Sequence, residues 1–371
     1  MKRWDLFCRV IDNFGDIGIS WRLARQLTRE HDIDVRLWVD DLSAFARLCS
    51  AVDPDRDQQW IDRIDVRKWS HNFRETDIAE VVVEAFACDI PESYVAGMAN
   101  VDRPPVWINL EYLSAEAWVN GCHQGKSRHP RWPLTKYFFF PGFTAKTGGL
   151  LKEADLDLRH AAFTPDRQNC FWNELGIAPP DRDQVQISLF CYDNPNLSTW
   201  LDLLAAGNPA RLLVTPGLPT AQVESWLGRS LLSGAHHQVA NLIVQPIPFL
   251  SQTRYDELLW ACDINFVRGE DSFIRAQWAH RPFVWQIYPQ SQDSHLTKLD
   301  AFLEQYLNLF GHPEAVKKFW RAWNGAGEIE KSWSQFLTHR LAIEKFGIVW
   351  ADQLDRAGNL ADNLLRFVRR Q

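Results

Sequence analysis

No stretch of this 371-residue chain stays apolar over the about 20 residues that a membrane-spanning helix needs. The opening Met1-Lys2-Arg3-Trp4-Asp5-Leu6 runs straight into a strand-like pattern, with no apolar leader ahead of it. None of the seven cysteines (Cys8, Cys49, Cys88, Cys122, Cys170, Cys191, Cys262) forms a Cys-x-x-Cys pair, and an odd number cannot all be bridged. Reduced thiols, buried where they fall in apolar runs, and a cytoplasmic location are therefore expected. His123 and His129 share a loop with Cys122, but the spacing fits no zinc motif. There is no Gly-x-Gly-x-x-Gly, Gly-x-Ser-x-Gly, His-Glu-x-x-His or P-loop pattern. The first absence argues against a Rossmann dehydrogenase. Positive charge is not in excess either: 40 Lys and Arg stand against 47 Asp and Glu, net −7, which argues against electrostatic binding of nucleic acid. Asp-x-Asp pairs occur at Asp53/Asp55, Asp155/Asp157 and Asp181/Asp183, all in charged, turn-rich stretches that read as solvated loops rather than metal sites.

What the chain has in quantity is aromatic rings, 18 Trp and 22 Phe. Most belong in a core, and the surplus can stack on bases or grip a protein partner. Apolar strand-like runs alternate with helical patterns: strands at 4–11, 35–39, 81–86, 106–110 and 137–140, with helices at 19–29 and 42–49. The pattern restarts with strands at 185–191, 210–214, 241–246, 263–267 and 283–287, and beyond about residue 292 it is helical. This is an α/β chain with two Rossmann-like domains, expected to bind ligand in a cleft between them, at the carboxyl ends of parallel strands. The expected boundaries are 1–155 for the first domain, 156–183 for a linker and 184–347 for the second domain. A long amphipathic helix at about 348–371 is placed back on the first.

The most informative stretch is Arg268-Gly269-Glu270-Asp271-Ser272-Phe273-Ile274-Arg275-Ala276-Gln277. It follows the strand-like Cys262-Asp263-Ile264-Asn265-Phe266-Val267 and opens a helical pattern. A strand, a short turn and a helix start aim unpaired N–H groups at whatever lies above the sheet, where a phosphate fits. Arg268 adds a cation that can fork onto two phosphate oxygens. The carboxylates Glu270 and Asp271 suit a ligand that is in part a sugar or a cation, which points to a sugar nucleotide more than to a bare phosphate. The first strand ends in Cys8-Arg9-Val10-Ile11-Asp12-Asn13-Phe14-Gly15-Asp16-Ile17-Gly18, a loop with acids where a pyrophosphate would approach. Asp12 and Asp16 suit a general base or a clamp for a cationic acceptor, or they simply end the strand and cap the helix. Phe190, Tyr192 and Phe249 fall at strand ends, where rings can sandwich a pyrimidine. Glu84 inside a strand and Glu111 at the end of one each need a partner.

Several of these segments together resemble the protein-arginine rhamnosyltransferases that modify bacterial elongation factor P. The resemblance runs end to end. It is carried by residues 12–18, by Trp107-Ile108-Asn109-Leu110-Glu111-Tyr112-Leu113-Ser114-Ala115-Glu116, and by Phe138-Phe139-Phe140-Pro141-Gly142-Phe143. It continues in Phe190-Cys191-Tyr192, in Arg268-Gly269-Glu270-Asp271-Ser272 and in Trp285-Gln286-Ile287-Tyr288-Pro289-Gln290. The resemblance implies a GT-B fold of two facing domains and dTDP-β-L-rhamnose as donor on the C-terminal domain. It implies an arginine of elongation factor P as acceptor on the N-terminal domain, with inversion at the anomeric carbon, no metal and no other cofactor. The modified factor would be active in rescuing ribosomes stalled at polyproline. By the same resemblance Asp16 is the general base, Asp12 an acceptor-side carboxylate and Glu270 a second acid near the sugar and phosphate. Arg268, Asp271 and Ser272 shape the diphosphate site, and Phe190, Tyr192, Phe249, Gln252 and Tyr288 contact the nucleotide. The competing readings are a GT-B transferase for a small-molecule or lipid acceptor, which needs no paired acceptor-side carboxylates, and a non-catalytic partner of the translation machinery.

Overall fold

Short runs of Val, Ile and aromatic residues bounded by turn residues build two sheets. The computed structural model describes residues 3–11, 14–70, 73, 76–181, 183–232, 234–290 and 294–371. Asp12 lies outside the described residues. The chain divides into two units, Met1–Ala154 with Gln353–Gln371, and Asp155–Asp352.

In the first unit the chain runs β1 (Arg3–Cys8), α1 (Gly15–His31), β2 (Asp34–Val39), α2 (Leu42–Leu48), β3 (Gln58–Ile61) and β4 (Ile64–Lys68). It continues through β5 (Val81–Ala85), α3 (Glu92–Ala99), β6 (Val106–Leu110), α4 (Val119–Cys122), β7 (Lys126–Arg128) and β8 (Thr135–Phe139). The eight strands lie in the order β3-β4-β2-β1-β5-β6-β8-β7, parallel except for the two edge strands β3 and β7. The β3–β4 hairpin was not foreseen. Its turn residues Asp62 and Arg63 both take left-handed conformations without a glycine to announce them.

The core of this sheet packs Phe7, Trp38, Trp69, Tyr94, Met98 and Trp107. It also holds a charged pair. Asp5 and Arg36 are register partners on β1 and β2, and the buried guanidinium bonds both carboxylate oxygens at 2.8 and 2.6 Å. Trp38 Nε1 and the Tyr94 hydroxyl donate to the same carboxylate. Its lone pairs are thereby met where an unpaired charge would cost several kcal/mol, about 3–5.

The second unit begins with α5 (Leu156–Ala161) and α6 (Pro165–Glu174), so much of the stretch that reads as a linker is helical. Thr164 and Pro165 form the N-cap and first residue of α6, an ordinary helix start inside a turn-rich segment. There follow β9 (Val185–Leu189), α7 (Leu197–Ala206), β10 (Ala210–Val214), α8 (Leu218–Leu227), β11 (His237–Val239), β12 (Leu242–Pro246) and α9 (Gln252–Ala261). Then come β13 (Ile264–Arg268), α10 (Asp271–Trp278), β14 (Phe283–Gln286), α11 (Ser294–Tyr306), α12 (Pro313–Trp323) and α13 (Ile329–Thr338). The six strands order as β11-β12-β10-β9-β13-β14, antiparallel only at β11. Trp200, Phe266, Trp323 and Trp333 pack in this unit with ring centres between 4.4 and 6.4 Å apart. Among the described residues no helix is long and apolar enough to cross a membrane. Cys8, Cys88, Cys191 and Cys262 are buried, whereas Cys122 and Cys170 are exposed.

The C-terminal helix expected at 348–371 is broken. α14 (Arg340–Ala357) ends before Gly358, which is left-handed at φ +84°, and α15 (Leu360–Val368) restarts under an Asn359 cap. The apolar period continues on both sides, so the pattern alone hides the break. α15 belongs to the first unit. Leu150 and Asn359 form a parallel bridge, Asn363 donates to the Gly148 carbonyl at 2.9 Å, and Phe367 meets Tyr137 and Phe139 edge-on or tilted.

This joint is tight at Gly149, where φ is +75° and an added Cβ would lie 1.9 Å from the Gly358 carbonyl oxygen. Gly149→Ala is expected to lower stability by on the order of 2 kcal/mol or more. Gly176→Ala, also at positive φ but facing open space, is expected to cost only about 1 kcal/mol. Urea unfolding of the two variants checks this, and equal midpoints would refute the close approach.

Candidate active site

Both sheets change direction of winding once. From β1 the chain crosses to β2 on one side, and from β5 to β6 on the other. In the second unit the same reversal separates β9 from β13. Right-handed crossovers then leave from opposite faces, and a crevice opens at the carboxyl ends of the diverging strands. The candidate residues sit at these two points, one in each unit.

In the first unit Asp16 lies in the first turn of α1 and is 2% exposed. Its carboxylate is held from two strand ends. The Ile11 N–H donates to Oδ2 at 2.8 Å, and the Tyr112 hydroxyl, just beyond β6, donates to Oδ1 at 3.2 Å. Tyr112 was not singled out by the sequence, although it stands within the 107–116 segment. Its ring stacks on Phe86 at 4.5 Å and 20°. Phe86 and Ala87, just past β5, hold φ of +58° and +51°, which for residues with a Cβ costs on the order of 1–3 kcal/mol each. The Ala87 N–H donating to Asn109 Oδ1 at 3.0 Å and the Phe86 N–H donating to the Leu110 carbonyl at 2.7 Å hold that turn.

The two glutamates beside it have partners. Buried Glu84 accepts from the Asp89 N–H at 3.1 Å and pairs with Lys136 Nζ at 2.7 Å, while that ammonium also lies over the Trp107 ring. Glu84 is therefore structural. Glu111 accepts from Asn109 Nδ2, and burial pushes its carboxyl above the ordinary range, with Glu84 adding to the rise.

In the second unit Arg268, the last residue of β13, is buried. Its guanidinium carbon lies 4.4 Å from the centre of the Phe190 ring and 4.6 Å from that of Tyr192, and Nη1 donates to the Cys191 carbonyl at 3.3 Å. The cation expected on a phosphate thus lies against the two rings expected to hold a base. A guanidinium has five N–H donors, and the Cys191 bond engages one. Burial beside this group pushes the Cys191 thiol up to about 12, so it stays protonated. Tyr192 is fixed further by its N–H, which donates to Gln286 Oε1 at 2.8 Å, and by Tyr288, edge-on at 5.2 Å.

The turn after β13 is closed by Ser272. Its hydroxyl accepts from the Arg268 N–H at 3.1 Å and donates to the Arg268 carbonyl, so it shapes the turn from within. Gly269 takes φ +58°, Glu270 is the N-cap residue and Asp271 begins α10. The Trp285 indole donates to the Gly269 carbonyl at 2.8 Å and stacks on Phe273 at 4.0 Å, clamping the turn from β14. Gln252, at the start of α9, donates to Asp271 Oδ2 at 3.2 Å. Phe249 and Tyr288 remain 44% and 57% exposed, surfaces on which a ring can stack. Gln286 and Trp285, like Tyr112, escaped the sequence reading as individuals, though both lie in the 285–290 segment. Among the described residues no group of three or more His, Cys, Asp or Glu side chains is placed to hold a metal ion.

Known proteins resemble this chain over its whole length. A family model described as elongation-factor P (EF-P) rhamnosyltransferase EarP matches residues 4–369. The chain is 45% identical over 372 residues to a protein-arginine rhamnosyltransferase of Pseudomonas putida, covering 99% of this chain and 98% of the other. It is 35% identical over 390 residues to one from Shewanella oneidensis, covering 100% and 98%. A solved structure concerned with EarP-mediated arginine glycosylation of translation elongation factor EF-P superposes with a TM-score of 0.70 at 33% identity, over 100% of both chains. The MurG glycosyltransferase of Acinetobacter baumannii, at TM-score 0.53 and 12% identity over 100% of both chains, shares the fold alone. The fold is GT-B.

α10 owes its placement to a buried ion pair. Asp256 of α9 takes Arg275 Nε and Nη2 at 2.8 and 2.7 Å. Asp256→Ala leaves that guanidinium without its carboxylate and is expected to destabilise by about 3–5 kcal/mol, with Asp256→Asn costing less. Unchanged urea midpoints in both variants would remove the pair from the support of the turn.

Proposed function

The chain belongs to the EarP family of elongation-factor P rhamnosyltransferases and is a protein-arginine rhamnosyltransferase, and from that premise we propose that its donor is dTDP-β-L-rhamnose, its acceptor an arginine of elongation factor P and its outcome inversion. The observation that carries this reading is the buried Asp16 carboxylate, fixed by a donor on each oxygen in one unit. The other unit supplies a helix N-terminus, a buried arginine and aromatic rings.

A guanidinium, with its pKa above about 12, is a poor nucleophile, because its lone pairs are delocalised and its charge is permanent. A carboxylate beside it localises the charge, orients one nitrogen and takes its proton. In the proposed step the nitrogen attacks the anomeric carbon while the bond from that carbon to the diphosphate oxygen breaks. The proton passes to Asp16, and dTDP leaves with the electron pair. One displacement with one base and no covalent intermediate inverts the centre. The charge growing on the leaving diphosphate is met by the first N–H groups of α10 and by Arg268, without a metal. Asp12 is assigned to the acceptor side. Glu270 and Asp271 lie at the sugar and diphosphate, and Ser272 contributes there through its backbone. Phe190, Tyr192, Phe249, Gln252 and Tyr288 make the nucleotide site, with the thymine on an exposed ring face. The cytoplasm, where elongation factors work, is the proposed location.

Intact-mass spectrometry of elongation factor P after incubation with the protein and dTDP-β-L-rhamnose tests the reading directly. One added deoxyhexose on an arginine is the expected result. No gain, with dTDP still bound, would direct the search to another acceptor. Asp16→Asn is expected to abolish transfer while leaving dTDP affinity nearly intact, as measured by calorimetry. A parallel loss of dTDP binding would sink the general-base role.

A further inference from the structure

Tyr112 reaches the Asp16 carboxylate from the neighbouring strand end, and its own placement is unusually determined. The ring is 46% exposed, so burial does not hold it. Stacking on Phe86 does, at 4.5 Å and 20°. The direction of Phe86 comes in turn from two successive left-handed residues, Phe86 and Ala87. Such a turn persists only where its surroundings impose it. Here Asn109 imposes it, accepting from the Ala87 N–H at 3.0 Å. Asn109 lies on β6, three residues before Tyr112. The contacts therefore form a circuit from β6 through the β5 turn and the Phe86 ring, back to the residue that follows β6.

The end of the circuit is one hydrogen bond, from the Tyr112 hydroxyl to Asp16 Oδ1 at 3.2 Å, matched by the Ile11 N–H on Oδ2 at 2.8 Å. The terminal torsion of an aspartate is broad, so a carboxylate held at one oxygen can still swing. Held at both, it keeps its plane. We infer that Tyr112 is a positioning residue for the Asp16 carboxylate and that Phe86, in its left-handed turn, is the support that keeps Tyr112 in place. The inference rests on Asp16 being the base.

Tyr112→Phe keeps the ring and its stack and deletes only the hydroxyl. With elongation factor P and dTDP-β-L-rhamnose as substrates, kcat is expected to fall about 10-fold or more, with the KM of each substrate changing by less than about twofold. Phe86→Leu is expected to give a smaller loss of the same kind. The double variant is expected to be no slower than Tyr112→Phe alone, because the two side chains act as one unit. An unchanged kcat in Tyr112→Phe would overturn the inference. A rise in acceptor KM at constant kcat would also overturn it, making Tyr112 a substrate contact. Independent, multiplying losses in the double variant would detach Phe86 from Tyr112. Asp16→Asn run beside them separates the two levels. If that variant transfers normally, the base reading fails; if it is inactive while Tyr112→Phe is normal in kcat, only the positioning role fails.

Discussion

Parallel strands need crossovers, and a sheet that winds both ways from its middle must leave one pair of strand ends uncovered. In this chain the pairs are β1 with β5 and β9 with β13. At those ends the backbone has run out of ladder partners, and side chains must finish the hydrogen bonding. The Asp16 carboxylate takes the Ile11 N–H and the Tyr112 hydroxyl, while Ser272, Gln286 and Trp285 finish the bonding around the turn after β13. The same side chains that satisfy these strand ends thereby fix the groups available for chemistry.

The second unit shows how one residue serves several neighbours. Arg268 lies against Phe190 and Tyr192 and bonds the Cys191 carbonyl, so it ties the end of β9 to the end of β13. A lysine would offer a point charge in that place but no planar fork to lie on rings and bond a carbonyl together. Contact with the two rings also gives the buried cation favourable partners of its own. Asp256 and Arg275, by contrast, neutralise each other one layer below and carry the load of holding α10.

Strands 106–110 and 210–214 were legible to the residue because dense apolar runs meet proline, glycine or charge at their ends. The β3–β4 hairpin was not, since Asp62 and Arg63 make the turn that glycine or asparagine usually marks. The stop at Gly358 was masked by an apolar period that resumes after it. At the site, residue type pointed to Asp16 and Arg268 and to the rings at 190 and 192. It did not show that Arg268 would lie against those rings, nor that the Ser272 hydroxyl would turn inward, because both depend on which strands become neighbours. Tyr112 and Gln286 were hidden for the same reason. Each acts on a residue far away in sequence, and spacing along the chain carries no trace of that.

The first unit is made of residues 1–154 and the last nineteen residues, 353–371, with the second unit inserted as one continuous block. Lys152 and Asp355, paired at 2.8 Å, bracket the insertion. During synthesis from the N-terminus the inserted block is therefore complete before its host. α15 follows that block, and until it emerges, Gly148 and Leu150 lack the partners that Asn363 and Leu360 bring, and Tyr137 and Phe139 lack Phe367. A chain cut between residues 353 and 357 would carry the whole second unit and a first unit without α15. The unit that holds Asp16 is thus closed by a helix that the chain reaches only after the whole inserted block.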